Sequence, residues 1–251
     1  MYIFLFYFCL SLIVILLVLE NIGFLFRIAG LKVNNLVAGY TFQNSWSFAS
    51  RFFTLLFAPI FAFLADTNNI NINFLHIIYF YFLLFTLILF CNLRIKSLVD
   101  ILSEIINFQQ KGNSIIRSIF RKPVITSTIK IFFWDVDNYL QKKKYYLPKK
   151  VKNSLLLFNF TYILFYACWP IISILITNFP DKPSLLISTS TYFTLSSTVY
   201  QSISFDPMIS RYSEDKETTK TVYILLQKYR LISVIFSFIL TTIIFIMFKI
   251  F

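Results

Sequence analysis

Residues 36–66 read LVAGYTFQNSWSFASRFFTLLFAPIFAFLAD, a run long and apolar enough to cross a bilayer, with Arg51 in its middle. A charged side chain at mid-bilayer costs on the order of 2.5–3.5 kcal/mol on insertion scales, so an intramembrane arginine marks a functional site and calls for a counter-charge. The preceding apolar segment carries Glu20 and Arg27. They stand about two helical turns apart and so near one face. Either Glu20 or an anionic group from outside must balance these arginines.

Working outward, the chain has 251 residues, is 58% hydrophobic and carries a net charge of +12. The apolar share exceeds that of a soluble domain and points to several membrane spans. In a soluble protein the basic excess would suggest nucleic acid. Here the charges gather in loops, so the expected partners are anionic membrane lipids and no nucleic acid. Cys9, Cys91 and Cys168 lie in separate apolar segments without metal-ligand or disulfide spacing. The first residues lack a basic start and a small-residue cleavage site and are expected to be a retained span.

The expected fold is all-α: a polytopic transmembrane helix bundle of about six spans, over residues 2–26, 33–64, 74–91, 154–177, 184–204 and 222–248. The second is too long for one straight crossing and is expected to tilt, kink or break, with Gly39 and Pro59 as break points. Residues 92–153 form a basic connection with thirteen Lys plus Arg against four acids, which places it in the cytoplasm. Alternation then puts both termini outside and the Arg27–Lys32 turn inside. Within the connection, Ile95, Leu98, Val99, Leu102, Ile105, Ile106 and Phe108 recur at helical spacing opposite Lys96, Asp100, Glu104 and Gln109. They predict an amphipathic helix, lying on the membrane or packed under the bundle. The apolar stretch 115–134 is interrupted by Arg117, Arg121, Lys122 and Lys130 and is not counted as a span.

Signals for catalysis are few. His76 is the single histidine and is expected at the membrane interface. No HExxH, CxxC or GxGxxG motif occurs, and Asp135 and Asp137 sit among basic residues without a third carboxylate. No metal and no cofactor is expected. What remains is polarity inside the spans. The second offers Asn44, Ser45, Ser47, Ser50, Arg51 and Thr54; the fifth carries Ser and Thr at eight positions from Ser188 to Thr198. Hydroxyls alone fit interhelical packing. Together with Arg27 and Arg51 they suit a polar cavity, because guanidinium forks match phosphate oxygens and stay charged at any depth.

The order of these residues resembles the Amj family of lipid II flippases. In the first half the likeness rests on Glu20, Arg27-Ile28-Ala29-Gly30, Asn44, Ser50-Arg51, Ala58-Pro59 and Asp66. In the second it rests on Leu147-Pro148, Asn159, Pro180 or Pro183, the Ser/Thr-rich stretch, Asp206-Pro207 and Arg230. The chain departs from the family at Glu20, where Asp is usual, at Ser196-Ser197 in place of Asn-Gly, at Ser210-Arg211 in place of an acidic residue, and through the middle loop. The resemblance implies a multi-pass protein of the bacterial cytoplasmic membrane that flips an undecaprenyl-pyrophosphate-linked peptidoglycan precursor and is not an enzyme. It implies substrate-binding roles for Glu20, Arg27, Asn44, Arg51, Asp206 and Arg230. Three alternatives stand beside it: a flippase for another lipid-linked oligosaccharide, a membrane enzyme acting on a polyprenyl phosphate, and a non-catalytic membrane assembly subunit.

Overall fold

The computed structural model describes residues 2–67, 70–112, 147–211 and 215–250, apart from the side chains of Ala49 and Arg51. Among these residues there is no strand, and the architecture is an all-α bundle. Five helical stretches are long and apolar enough to cross a membrane: Tyr2–Lys32, Leu36–Asp66, Phe74–Leu93, Lys149–Asn178 and Lys216–Ile250. The chain is a multi-pass membrane protein. The first stretch comprises α1 (Tyr2–Gly23) and α2 (Leu25–Lys32), which meet at Phe24. Next come α3 (Leu36–Asp66), α4 (Phe74–Leu93), α5 (Ile95–Gln110) and α6 (Lys149–Asn178). A broken segment follows, made of α7 (Pro183–Ser188), α8 (Ser190–Tyr200), a π-helical turn Gln201–Phe205 and α9 (Asp206–Ser210). The chain then enters α10 (Lys216–Ile250).

Helix ends follow from local chemistry. Asn34 takes the left-handed conformation (φ 60°) that asparagine tolerates better than most residues. The Asn35 side chain then caps α3 by accepting from the Ala38 N–H at 2.9 Å. Asn73 and His76 form a reciprocal capping box at the start of α4, each accepting from the other's backbone N–H at 3.1 Å. His76 is therefore a buried capping residue in the first turn of the third span, packed on Phe6 and Tyr7. At the start of α10, Thr218 donates through its hydroxyl and its N–H to the exposed Asp215 carboxylate, which holds that carboxyl below its usual range.

Side-chain contacts fix the helix directions. Trp46 Nε1 donates to the Leu19 carbonyl at 2.7 Å and Cys9 lies by Phe57, so α3 runs antiparallel to α1. Phe6 packs on His76 and Ser11 meets Tyr79, so α4 runs parallel to α1. Phe74 stacks on Phe245 and Tyr81 bonds Ser237 and Thr241, so α10 is antiparallel to α4. Asn159 meets Ser233 while Phe179 meets Phe248, so α6 and α10 are parallel neighbours. Two parallel neighbours need a return between them. The broken segment supplies it: the Ser190 carbonyl lies by Cys168 and the Tyr200 hydroxyl by Ser154, so the segment runs back along α6. The expected fifth span is thus present as a return path, interrupted at Thr189 and passing through a π-helical turn, with helical backbone angles at each junction.

Two more expectations change. Gly39 and Pro59 do not break the second span, since α3 is continuous over both. Gly39 serves contact instead. A Cβ on Gly30 would stand 2.8 Å from Gly39 Cα and from the Asn35 carbonyl, and one on Gly39 would stand 2.8 Å from the Phe26 carbonyl. The backbones of α2 and α3 therefore touch, the close approach that small residues permit in membrane bundles. Arg27–Lys32 is likewise helix and not turn; the turn is Val33–Asn35. The amphipathic helix forms as expected over Ile95–Gln110 and packs under the bundle, burying Val99, Leu102, Ile105 and Ile106 beside α2, with Lys32 paired to Asp100. The stretch 115–134 lies outside the described residues.

The α2 end of the bundle gathers Arg94, Lys96, Lys111, Lys149, Lys150 and Lys152, whereas the turn 66–73 has no basic residue. By the positive-inside rule that end is expected on the cytoplasmic side. Because the native cysteines are buried, an impermeant maleimide on intact cells should label Asp181→Cys and spare Lys150→Cys until the membrane is opened. Gly30→Val should cost at least the ~1–3 kcal/mol of ordinary overpacking, because its obstacles are backbone atoms. A lower melting temperature in detergent, with loss of monodisperse protein, is the readout.

Candidate functional site

One face of α10 carries Tyr223, Gln227, Arg230, Ser233, Ser237 and Thr241, all buried. The steps of three and four residues keep them in one stripe, which runs along most of the helix. Hydrophobic sequence in a span normally turns such groups toward protein and away from lipid, where an unmet polar group is costly. Here α1, α4 and α6 supply the partners. Gln227 Nε2 donates to the Asn21 carbonyl at 3.0 Å, and Ser233 Oγ donates to Asn159 Oδ1 at 2.5 Å. Ser237 Oγ donates to the Ile163 carbonyl at 2.8 Å, and Thr241 meets the Tyr81 hydroxyl at 2.7 Å.

At the basic, α2 end of this stripe lies Arg27, 1% exposed. It donates end-on to Asp206, with Nη2 to Oδ2 at 2.9 Å and Nη1 to Oδ1. Nη1 also reaches the Tyr223 hydroxyl at 3.1 Å, Nε donates to Gln43 Oε1, and the Tyr40 ring lies 4.2 Å from the guanidinium carbon. Four parts of the chain distant in sequence therefore converge on one side chain: α2, α3, α9 and α10. The counter-ion is Asp206 and not Glu20. Glu20 accepts from the Ser50 hydroxyl at 2.6 Å and from Ser47 at 3.2 Å.

A second guanidinium, Arg230, is 0% exposed. The Tyr162 ring lies 3.5 Å and the Phe24 ring 4.5 Å from its central carbon, and Nη1 donates to the Tyr166 hydroxyl at 3.4 Å. Phe24 also faces Arg27, at 5.4 Å, so the two cations flank one ring. Among the described residues, no carboxylate lies within ion-pair distance of Arg230. Its Nε and Nη2, and both side-chain polar atoms of the buried Asn21, have no hydrogen-bond partner there.

Of the residues singled out from sequence, Arg27, Asp206 and Arg230 belong to this centre, and Glu20 borders it through α1. Asn44 does not belong: it is exposed, and its neighbour Gln43 takes the buried position. The side chain of Arg51 lies outside the described residues. The hydroxyls of the return segment bond locally. Thr194, Ser196, Ser197 and Thr198 each donate to a carbonyl three or four residues back, and only Ser197 of the four is buried. Such bonds to the helix's own carbonyls compete with its regular ladder. Gln43, Tyr223, Asn21 and Gln227 escaped the reading of single spans; the three-and-four-residue polar stripe on α10 was the signal that would have found two of them.

Among the described residues, no three His, Cys, Asp or Glu side chains are grouped to hold a metal ion. No family model, no curated protein and no solved structure matches the chain.

The geometry predicts an asymmetry between the two ends of the ion pair. Asp206→Asn leaves the buried Arg27 charge without its acid and should cost toward the lower end of the ~3–5 kcal/mol typical of a broken buried pair. Arg27→Gln should cost less, because the Asp206 side chain is 26% exposed and can turn to water. The double variant should melt above Asp206→Asn; additive losses in detergent melting curves would contradict the pairing.

Proposed function

We propose that the protein moves an anionic amphipathic lipid between the leaflets of the membrane. The lipid's phosphate enters the polar centre and its chain stays in the bilayer. The observation that carries this is the placement of Arg27's counter-ion at the end of the π-helical turn of the return segment. An ion pair between two rigid spans is a structural staple. One whose acid sits at the end of a π-helical turn, in a segment interrupted at Thr189, can exchange partners. Discontinuous helices next to buried charge are the usual setting of transporter binding sites.

In mechanism, Asp206 occupies Arg27 while the site is empty. An incoming phosphate offers the same paired oxygens and takes over the end-on contacts. Asp206 and the segment behind it are then released toward the cytoplasmic face. The exchange keeps the guanidinium compensated throughout, which matters because a bare charge in the bundle is the costliest state available to it. Basic residues at the start of α6 favour anionic lipid at the entrance.

The substrate class follows from the likeness to the Amj family: an undecaprenyl-pyrophosphate-linked cell-wall precursor, moved from the cytoplasmic to the outer leaflet of a bacterial cytoplasmic membrane. Complementation in cells depleted of their lipid II flippases tests this. The native chain should restore growth, whereas Arg27→Ala, at matched membrane abundance, should behave like empty vector. Rescue by Arg27→Ala would sink the mechanism. Failure of the native chain despite confirmed expression would shift the substrate to another lipid-linked sugar, or the protein to a subunit role.

A further inference from the structure

We propose that the side-on edge of Arg230, with the side-chain amide of Asn21, forms a second seat for a phosphate oxyanion, deeper in the bundle than Arg27. It rests on the preceding proposal only in taking the ligand to be the same phosphate.

The geometry around Arg230 leaves it one direction in which to donate. Both ring partners lie against its guanidinium, Tyr162 at 3.5 Å and Phe24 at 4.5 Å. Nη1 is taken by Tyr166. The donors that meet no described acceptor are Nε and Nη2. These two share one edge of the guanidinium and point in parallel, the fork that receives two oxygens of a phosphate or carboxylate. A purely structural arginine, held for its contact with aromatic rings, would have no use for that edge at complete burial, where unmet donors destabilise.

Asn21 is the independent observation. It is 1% exposed, and both its Oδ1 and Nδ2 lack partners among the described residues. Its backbone carbonyl is held by Gln227, which precedes Arg230 by one turn of α10, while Phe24, one turn further along the first span, packs on Arg230 itself. A buried primary amide offers both a donor and an acceptor. An anionic phosphate oxygen accepts from Nδ2, and Oδ1 accepts from a hydroxyl of the headgroup.

The route to this seat passes through the movable segment. Phe205 stacks on Phe158 at 4.4 Å, and Phe158 packs against Tyr162 at 5.1 Å and Phe24 at 6.0 Å, the two rings on Arg230. Phe205 immediately precedes Asp206 in the chain. Withdrawal of Asp206 from Arg27 therefore also draws the outermost ring off the Arg230 enclosure. One displacement uncovers two cationic stations in sequence, the first with an internal acid to exchange and the second with no described carboxylate within ion-pair distance.

The test uses the full-length protein in detergent, with three probes: a short-chain polyprenyl monophosphate, inorganic phosphate and the matching neutral polyprenol. Binding is read by titration calorimetry and by the shift in melting temperature. At least one phosphate probe should bind saturably and raise the melting temperature, and the polyprenol should do neither. Binding of the lipid alone assigns the seat to a headgroup; binding of inorganic phosphate as well assigns it to the oxyanion itself. Arg230→Gln should weaken binding by about tenfold or more, the loss of one charge-assisted bond (~1.4 kcal/mol). Asn21→Leu should weaken it too, while raising the ligand-free melting temperature by removing two unpartnered polar atoms. That opposite movement separates lost binding from lost folding and decides the matter if Arg230→Gln does not fold. Unchanged affinity in Asn21→Leu, equal binding of polyprenol, or no binding of either phosphate would overturn the seat. Failed complementation with intact phosphate binding would instead overturn translocation alone.

Discussion

A guanidinium cannot be neutralised by giving up its proton in the bilayer, so the bundle must bring acceptors to it. Arg27 imposes this most strongly. Its five N–H groups require oxygens from several directions, and the chain meets them with Asp206, Gln43 and Tyr223, carried on three different helices. The contact of α2 with α3 at Gly30 and Gly39 is a precondition: only backbones that touch place Gln43 and Tyr40 within reach of Arg27. The polar stripe of α10 extends the same logic along the bundle, where Gln227, Ser233, Ser237 and Thr241 are each answered by a carbonyl or hydroxyl of α1, α4 or α6. Where the answers stop, at Arg230 and Asn21, the structure departs from what stability alone would select.

The return segment has a different character from the five long spans. Its serines and threonines bond their own helix backbone, which competes with the regular helical ladder, and its chain is interrupted at Thr189 and again at the π-helical turn. Apart from Ser197, Phe205 and Ile209, few of its side chains are buried. Yet it delivers Asp206 to the fully buried Arg27. A lightly packed element that supplies an essential charge makes a natural moving part, because little apolar contact is lost when it shifts. The long spans, tied by aromatic contacts such as Trp169 against Phe57 and Phe61, form the frame against which it would move.

Much of this was legible in the chain. Apolar length marked six passages, of which five are long helices and one is the interrupted return; helical spacing gave the amphipathic Ile95–Gln110 helix. Charge in an apolar setting singled out Arg27, and Arg230 and Asp206 came through resemblance to a family's residue order. These properties are local or additive along the sequence: a window of about twenty residues contains the information that a bilayer reads.

Pairing was not local, and only the tertiary structure decided it. Nothing in the sequence near Arg27 distinguishes Glu20, seven residues before it, from Asp206 in a distant segment. The choice depends on which helix crosses α2 and at what height. Asn44 and Gln43 are equally polar neighbours on α3, yet a helical step of 100° sends one outward and the other onto the guanidinium. Gly39, open to interpretation as a breaking point, became a point of contact because α2 happens to cross there. Sequence thus determined that cations would be buried in a membrane bundle, since hydropathy and charge are fixed by composition. Which groups answer those cations, and which donors are left over, was settled by packing, because hydrogen bonds depend on distances that only the folded backbone sets.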